Sequence, residues 1–315
     1  MSYNLAGLST YTNQQTLPLI TKSLFNARTI SLINKQVGIK YVSSLNLLDT
    51  TTAFSYGNTC GFNGANNTTD FTQRNLTAVH TKVHEAICPK ALEAYWMQTQ
   101  LTAGSMPTTI PFEQVYAEQK VASIQKALET AVWQGTGADG SITGFASIFN
   151  TASVTDLNAS AYGWATDLSF ATLRSTPGNA IALLNTFETY LPADIKGYDD
   201  VAIFCGVDVF TAIKQGLVAE NYFNISYLNG VENYELTLPG SNIKLYGVNG
   251  LNGTYDLYAG RTSHMIFGTD LLNEEERFEI FYAKEADEVR FVCEFKAGVQ
   301  IAFPDQCARF MMAAS

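Results

Sequence analysis

Along the first forty residues, polar runs alternate with short apolar clusters and no period is sustained. That pattern predicts an extended arm with one short helix around Leu24 to Ile33, and an arm of this kind makes no core of its own. From Tyr41 to Cys88 the text turns β-like. Thr51 to Tyr56 and Leu76 to Ile87 are rich in Thr, Val, Phe and Tyr, and the glycine- and asparagine-rich stretch from Gly57 to Asn67 separates them. The prediction is a long two-stranded excursion with a Gly/Asn tip, marginal in water unless it rests on something outside itself.

A short helical segment, Pro89 to Leu101, is closed by Ala103 to Pro107. Pro111 to Trp133 then gives the clearest helix in the chain. Pro111 suits a first turn, Glu113 complements the helix dipole, and Ala117, Val121, Ile124, Leu128 and Val132 recur at spacings of three and four. At ~1.5 Å per residue this rod is about 35 Å long. The text after Asn150 is polar as far as Ser169, and an α/β pattern follows. It comprises a helix over Ala180 to Leu191 stopped by Pro192, a buried strand over Val201 to Cys205, and a helix over Val209 to Gln215 with Asp208 as cap and Gly216 after it. Strands are predicted at Ile243 to Val248, Tyr255 to Tyr258, Met265 to Phe267, Phe278 to Ala283, Val289 to Phe295 and Val299 to Phe303. The fold class is therefore α+β.

Gly135, Gly137 and Gly140 spell G-x-G-x-x-G, the dinucleotide fingerprint. They follow a long helix, whereas that fingerprint needs a strand before it and a helix after it to hold pyrophosphate. Gly135 is better read as the left-handed residue ending the helix, and Asp139-Gly140 as a turn into Ser141 to Phe149.

Only 15% of the 315 residues are charged, against 46% hydrophobic, so much of the exterior is expected to meet other protein. No apolar run reaches eighteen residues and the start lacks the basic and apolar regions of a secretory signal; both predict a soluble, unexported chain. In such a chain the N-x-T sequons at Asn66 and Asn67 carry no glycan. The five cysteines, Cys60, Cys88, Cys205, Cys293 and Cys307, contain no C-x-x-C pair and are expected to stay reduced. The net charge of −10 is unevenly spread: residues 1 to 48 carry Lys22, Arg28, Lys35 and Lys40 and no acid, while carboxylates crowd between Glu274 and Glu294. A basic arm and an acidic body attract each other between copies, or else both are solvated faces.

Catalytic signatures are missing. There is no phosphate loop, no H-E-x-x-H and no G-x-S-x-G, and Ser123-Ile-Gln-Lys126 matches S-x-x-K without companion motifs. His80 and His84 have a spacing that ligates zinc only from a helix, and here they fall on a β segment; His264 stands apart. The acid cluster after Asn273 lacks the spacing of a calcium loop. An acidic chain with no basic stripe is the opposite of a nucleic-acid binder's footprint. No cofactor and no metal is expected.

The order of segments, namely basic arm, β excursion, long helix ending in Trp-x-Gly, α/β insertion and late strands, resembles the major capsid protein of tailed bacteriophages, the Hong Kong 97 fold. Ala131-Val-Trp-Gln-Gly135 is similar to that family's spine-helix exit, Ile266-Phe-Gly-Thr-Asp-Leu271 to its approach to the last strands, and Phe295-Lys-Ala-Gly-Val-Gln-Ile-Ala-Phe-Pro-Asp305 to its closing strand. The resemblance implies an N-arm at 1–40, an extended loop at 41–88, a peripheral domain at 89–165 and 275–305, an axial domain at 166–274 and a C-terminal tail at 306–315. It implies a structural virion protein rather than an enzyme, assembled in the host bacterial cytoplasm through hexamers and pentamers into an icosahedral head around double-stranded DNA. A separate scaffolding protein, a portal and decoration proteins are the expected partners, with no membrane. Inter-subunit contacts are expected from Lys22, Arg28, Lys35, Lys40, Phe54, Tyr56, Arg74, Glu274, Glu275 and Glu276. Some members weld the extended loop to a neighbour through a lysine; residues 41 to 81 hold none, only Arg74. The alternatives are an encapsulin-like nanocompartment shell of the same fold, which would enclose an enzyme, and a soluble enzyme with an unrecognised site.

Overall fold

The computed structural model describes residues 28–54, 67–88, 112–158, 168–220, 234–238, 240–270, 277–286 and 288–312. In chain order its elements are α1 (Arg28–Leu32), β1 (Asn34–Gln36), β2 (Val42–Thr51), β3 (Thr68–Thr77), β4 (Val79–Ile87), α2 (Phe112–Gln134), α3 (Phe145–Thr151), β5 (Thr155–Asp156), α4 (Phe170–Ser175), α5 (Gly178–Tyr190), β6 (Val201–Gly206), α6 (Val207–Ala219), β7 (Glu235–Thr237), β8 (Lys244–Val248), β9 (Leu257–Arg261), β10 (Met265–Gly268), β11 (Arg277–Ala283), β12 (Glu288–Ile301) and β13 (Ala308–Phe310). The helical reading of 89–101 lies outside the described residues.

Three sheets organise these elements. The first runs β1-β10-β12-β11, with β4 also paired to β12. Its long strand β12 turns Phe291, Cys293, Phe295, Ala297, Val299 and Ile301 inward, while Val292, Glu294, Lys296 and Gln300 between them are less buried. The sequence predicts two strands here, Val289 to Phe295 and Val299 to Phe303, and the structure joins them. Gly298 instead lies within the strand, where a Cβ would sit 2.0 Å from the Thr77 carbonyl oxygen. The glycine marks a crossing of two backbones. Gly298→Ala is accordingly expected to lower the urea midpoint and to loosen β3 from β12, read as faster hydrogen exchange across residues 72–79.

The second sheet, β5-β13-β9-β6-β8-β7, is the α/β part. β6 is buried on both faces and runs parallel to β8, with α6 in the crossover. Alternate residues of β6 serve two cores. Val201, Ile203 and Cys205 join α5 and α6 in one, and Ala202 and Phe204 face α2 in the other. Helix α6 begins two residues before and ends four residues after its predicted span of Val209 to Gln215. Gly216, expected to end it, lies inside the helix, where a Cβ would come 2.7 Å from Ala180 Cβ; it allows α5 and α6 to approach closely. Asp208, expected as the cap, sits in the first turn, and Gly206 precedes the helix. Its carboxylate accepts from the Val209 and Gly253 amides at 2.8 and 2.9 Å.

β2 and β3 form the third sheet, a ribbon of ten residue pairs from Val42↔Thr77 to Thr51↔Thr68. Here the strand limits differ from the reading. Pairing begins at Val42 rather than Thr51, because the ladder orders a stretch poor in β-branched residues. Leu76 to Ile87 is two strands, and β4 leaves the ribbon at buried Ala78 to pair with β12.

Helix α2, the predicted long helix, buries Val121, Ile124, Leu128, Val132 and Trp133. Its exit corrects the role given to Gly135. The left-handed residues are Gly137 and Gly140, at φ 73° and 74°. Gly135 is required for closeness instead, since a Cβ there would stand 2.1 Å from the Ile142 oxygen. Among the described residues, no helix is long and apolar enough to cross a membrane.

Candidate assembly surfaces

Two features bear on assembly: α1, at the start of the described chain, and the ribbon. Each is tied down by a different chemistry.

The arm is anchored on α2 by a buried polar node. The Glu129 carboxylate, 5% exposed, accepts from the Thr29 amide at 3.3 and 3.2 Å and from the Thr29 hydroxyl. Trp133 Nε1 donates to Thr29 Oγ1 at 2.7 Å. The indole stacks on Tyr258 and is tilted against Phe145 and Phe204, at centroid distances of 5.7, 5.3 and 5.2 Å. Gly250 closes the node, because a Cβ there would meet the Glu129 carbonyl oxygen at 2.3 Å. Burial holds the Glu129 carboxyl above the ordinary carboxylate range, against the opposing pull of the Thr29 hydrogen bonds and Arg28. Desolvating a carboxylate costs several kcal/mol, a hydrogen bond to a charged group returns about 1.5–3 kcal/mol, and burying Ile30 or Ile33 contributes about 1.5–3 kcal/mol each.

The ribbon has almost no core of its own. Ile39, Leu45, Leu76 and Ala78 form a four-residue cluster at its base. Further out, side chains of cross-strand pairs share a face. One face carries Ser44 bonded to Asn75 at 3.2 Å, Gln73 bonded to Asn46 at 2.8 Å, and then the directly opposed pair Leu48 and Phe71. Leu48 is 54% and Phe71 80% exposed, and Phe54 beyond them is fully exposed. The other face opposes Asp49 to Asp70. An apolar pair next to two facing carboxylates is a poor solvent-exposed ribbon end and a serviceable contact surface.

The ten residues expected at interfaces separate into three groups. Arg28 and Arg74 are engaged within the subunit: the Arg28 guanidinium lies 5.9 Å from the Tyr246 ring centroid, and Arg74 Nη2 donates to Gln300 Oε1 at 3.3 Å. Lys35, Lys40 and Phe54 are exposed. Lys22, Tyr56, Glu274, Glu275 and Glu276 lie outside the described residues. Further along the acid-rich segment, Glu294 pairs with Lys82 at 3.1 Å and Glu288 with Arg290 at 3.6 Å, so that part of its charge is answered locally. Sequence reasoning missed Leu48, Phe71 and Glu129. The first two become a pair only through the ribbon register, and Glu129 was legible as an acid adjoining the apolar stripe at Leu128 and Val132.

His80 and His84 point to the same exposed face of β4, with His80 Nε2 3.7 Å from Glu294. Among the described residues, no group of three His, Cys, Asp or Glu is placed to hold a metal. Ser123 and Lys126 line an open groove of about 480 Å³ on α2 with Ala127, Thr130 and Gln134, and none of its lining residues is a histidine, cysteine or carboxylate.

No family model and no curated protein matches the sequence. Solved structures do. The capsid of Myoviridae phage XM1 aligns with a TM-score of 0.55 and 10% identity over 89% of this chain and 90% of that one. A chain of Mycobacterium phage Che8 aligns with a TM-score of 0.55 and 12% identity over 90% of both. A virus-like particle from Pyrococcus furiosus aligns with a TM-score of 0.52 and 8% identity over 92% and 95%. The chain has the Hong Kong 97-type fold of phage capsid subunits.

Proposed function

We propose that this chain is the major capsid protein of a tailed bacteriophage, a structural subunit that associates through hexamers and pentamers into an icosahedral head around double-stranded DNA. The observation that carries the reading is the fold shared with a phage capsid over nine-tenths of both chains. The surfaces agree with it. The ribbon has almost no core of its own, and docking on a neighbouring copy supplies the burial that Leu48, Phe71 and Phe54 miss in the single subunit. An acidic shell holds packaged DNA without gripping it, because phosphate binding needs cations.

In this reading the N-arm spans 1–40, the extended loop 41–88, the peripheral domain 89–165 and 275–305, the axial domain 166–274 and the C-terminal tail 306–315, with β4 anchoring the loop in the peripheral sheet. Arm and loop contacts run through Lys22, Lys35, Lys40, Phe54 and Tyr56, and Glu274, Glu275 and Glu276 face the basic arm of a neighbour. Arg28 and Arg74 position the arm and the loop from inside the subunit. The particle forms in the host bacterial cytoplasm with a separate scaffolding protein, a portal and decoration proteins, and the chain performs no catalysis. A nanocompartment shell is the second reading; the Pyrococcus furiosus particle fits no better than the phage capsids, so it is not preferred. Cargo separates the two, since nuclease-protected DNA belongs to a head and an enclosed enzyme to a compartment.

Sedimentation velocity over rising concentration tests the association itself. Mature particles are expected to give monomer-sized bands after denaturing electrophoresis, because residues 41 to 81 hold no lysine for a covalent weld. A ladder of multiples contradicts this.

A further inference from the structure

We propose that Asn252 is a deamidation site that the fold holds unreacted, with Asp208 as its guard. Asn252-Gly253 combines the two requirements of this reaction, a side-chain amide and a following glycine whose nitrogen no Cβ shields. Both residues are exposed, so water reaches them.

In the reaction the Gly253 nitrogen attacks Asn252 Cγ. The new N–C bond closes a cyclic imide, the Cγ–Nδ2 bond breaks, and ammonia leaves carrying the proton lost by the Gly253 nitrogen. Water then opens the imide at one carbonyl or the other, leaving an aspartate or a β-linked isoaspartate.

The structure activates one reactant and withholds the other. The Val207 amide, at the N-terminus of α6, donates to Asn252 Oδ1 at 2.7 Å and draws electrons from Cγ. The Gly253 amide, in contrast, donates to Asp208 Oδ2 at 2.9 Å. That carboxylate, fixed by the Val209 amide on its other oxygen, opposes loss of the Gly253 proton, because the amide anion would form beside a like charge. The backbone adds a second restraint. Leu251 to Thr254 is a type II turn, with φ −59° and ψ 131° at Asn252, φ 80° at Gly253 and the Thr254 amide donating to the Leu251 carbonyl at 3.2 Å. Ring closure needs the Gly253 nitrogen to eclipse Asn252 Cβ about the Cα–C bond. At the observed ψ it lies well away, so the turn must open first. Asn249-Gly250, just before it, is restrained differently, by Gly250 packed against the Glu129 carbonyl and Trp133.

Conversion has a structural consequence. An isoaspartate adds a carbon to the main chain beside the residues that seat Gly250 on α2, and is expected to loosen that seat. The proposal goes beyond the shell reading and does not depend on it, because it concerns the single chain.

The test is peptide mapping by mass spectrometry of the full chain after incubation in mildly alkaline buffer, native and in urea, with aspartate and isoaspartate forms separated by chromatography. Opening the turn gives up a hydrogen bond to a carboxylate, so conversion at Asn252 is expected to be at least about tenfold slower in the native chain than in the unfolded one. Asp208→Ala is expected to raise the native rate at Asn252 by about tenfold and to leave Asn249 unchanged. Asp208→Asn keeps an oxygen acceptor without the charge and is expected to fall between. A residue that merely holds α6 together would instead speed conversion at both asparagines and hydrogen exchange over residues 207–219. Equal conversion in the native and unfolded chain, or an Asp208→Ala variant that leaves Asn252 unchanged or raises Asn249 with it, overturns the proposal.

Discussion

Trp133→Ala is expected to destabilise the subunit by ~3–5 kcal/mol, the range for removing a buried large aromatic. Three effects add at this position. The indole is completely buried where Phe145, Phe204 and Tyr258 meet, so truncation opens a cavity between α2 and the second sheet. It also removes the Nε1 donor to Thr29, leaving the hydroxyl to Glu129 alone. Finally it unseats the side chain that Gly250 was kept small to admit, with a Cβ at Gly250 lying 2.6 Å from Trp133 Cδ1. Urea unfolding followed by circular dichroism measures the loss. Trp133→Phe refills most of the volume without the donor and is expected to recover more than half of it. If Ala and wild type unfold at the same denaturant concentration, the packing account of α2 is wrong.

Replacing residues 48–71 by Asn-Gly is expected to abolish shell formation while leaving the subunit folded. The register places Leu47 opposite Thr72, so a two-residue turn closes the shortened ribbon at a matched pair. The base cluster of Ile39, Leu45, Leu76 and Ala78 is untouched, and the described removed residues are exposed apart from half-buried Ala53. A stability change of no more than about 1 kcal/mol is therefore expected. The milder double change Leu48→Ser with Phe71→Ser removes the apolar pair alone. At about 1.5 kcal/mol or more for each large apolar side chain buried at a contact, it is expected to weaken association by at least about tenfold. Light scattering of wild type and variants at matched concentrations measures both effects. Unimpaired assembly of the shortened ribbon contradicts its role as a contact.

The elements that the sequence made legible are those specified by local periodicity. The stripe from Val121 to Val132 marked α2 within a residue at each end, and the uniformly apolar Val201 to Cys205 marked β6 as a strand buried on both faces. Glycine was the main source of error. Gly135 and Gly216 read as punctuation and Gly298 fell between two predicted strands, yet each sits where another part of the chain comes too near for a Cβ, a tertiary fact with no local signature. The strand β2 was hidden for a related reason, since its order comes from its partner rather than from its own side chains. Arg28 and Arg74, expected as contact cations, are engaged within the chain, while Leu48 and Phe71, well separated in sequence, become one patch through cross-strand pairing.

Negative-stain electron microscopy of the purified chain across a range of concentrations tests the central claim most directly. The account predicts closed shells, curved sheets or discrete pentamers and hexamers, with the ribbon-shortened variant showing none of them. A chain that stays monomeric at every concentration, alone and together with its scaffolding protein, contradicts a shell-forming subunit.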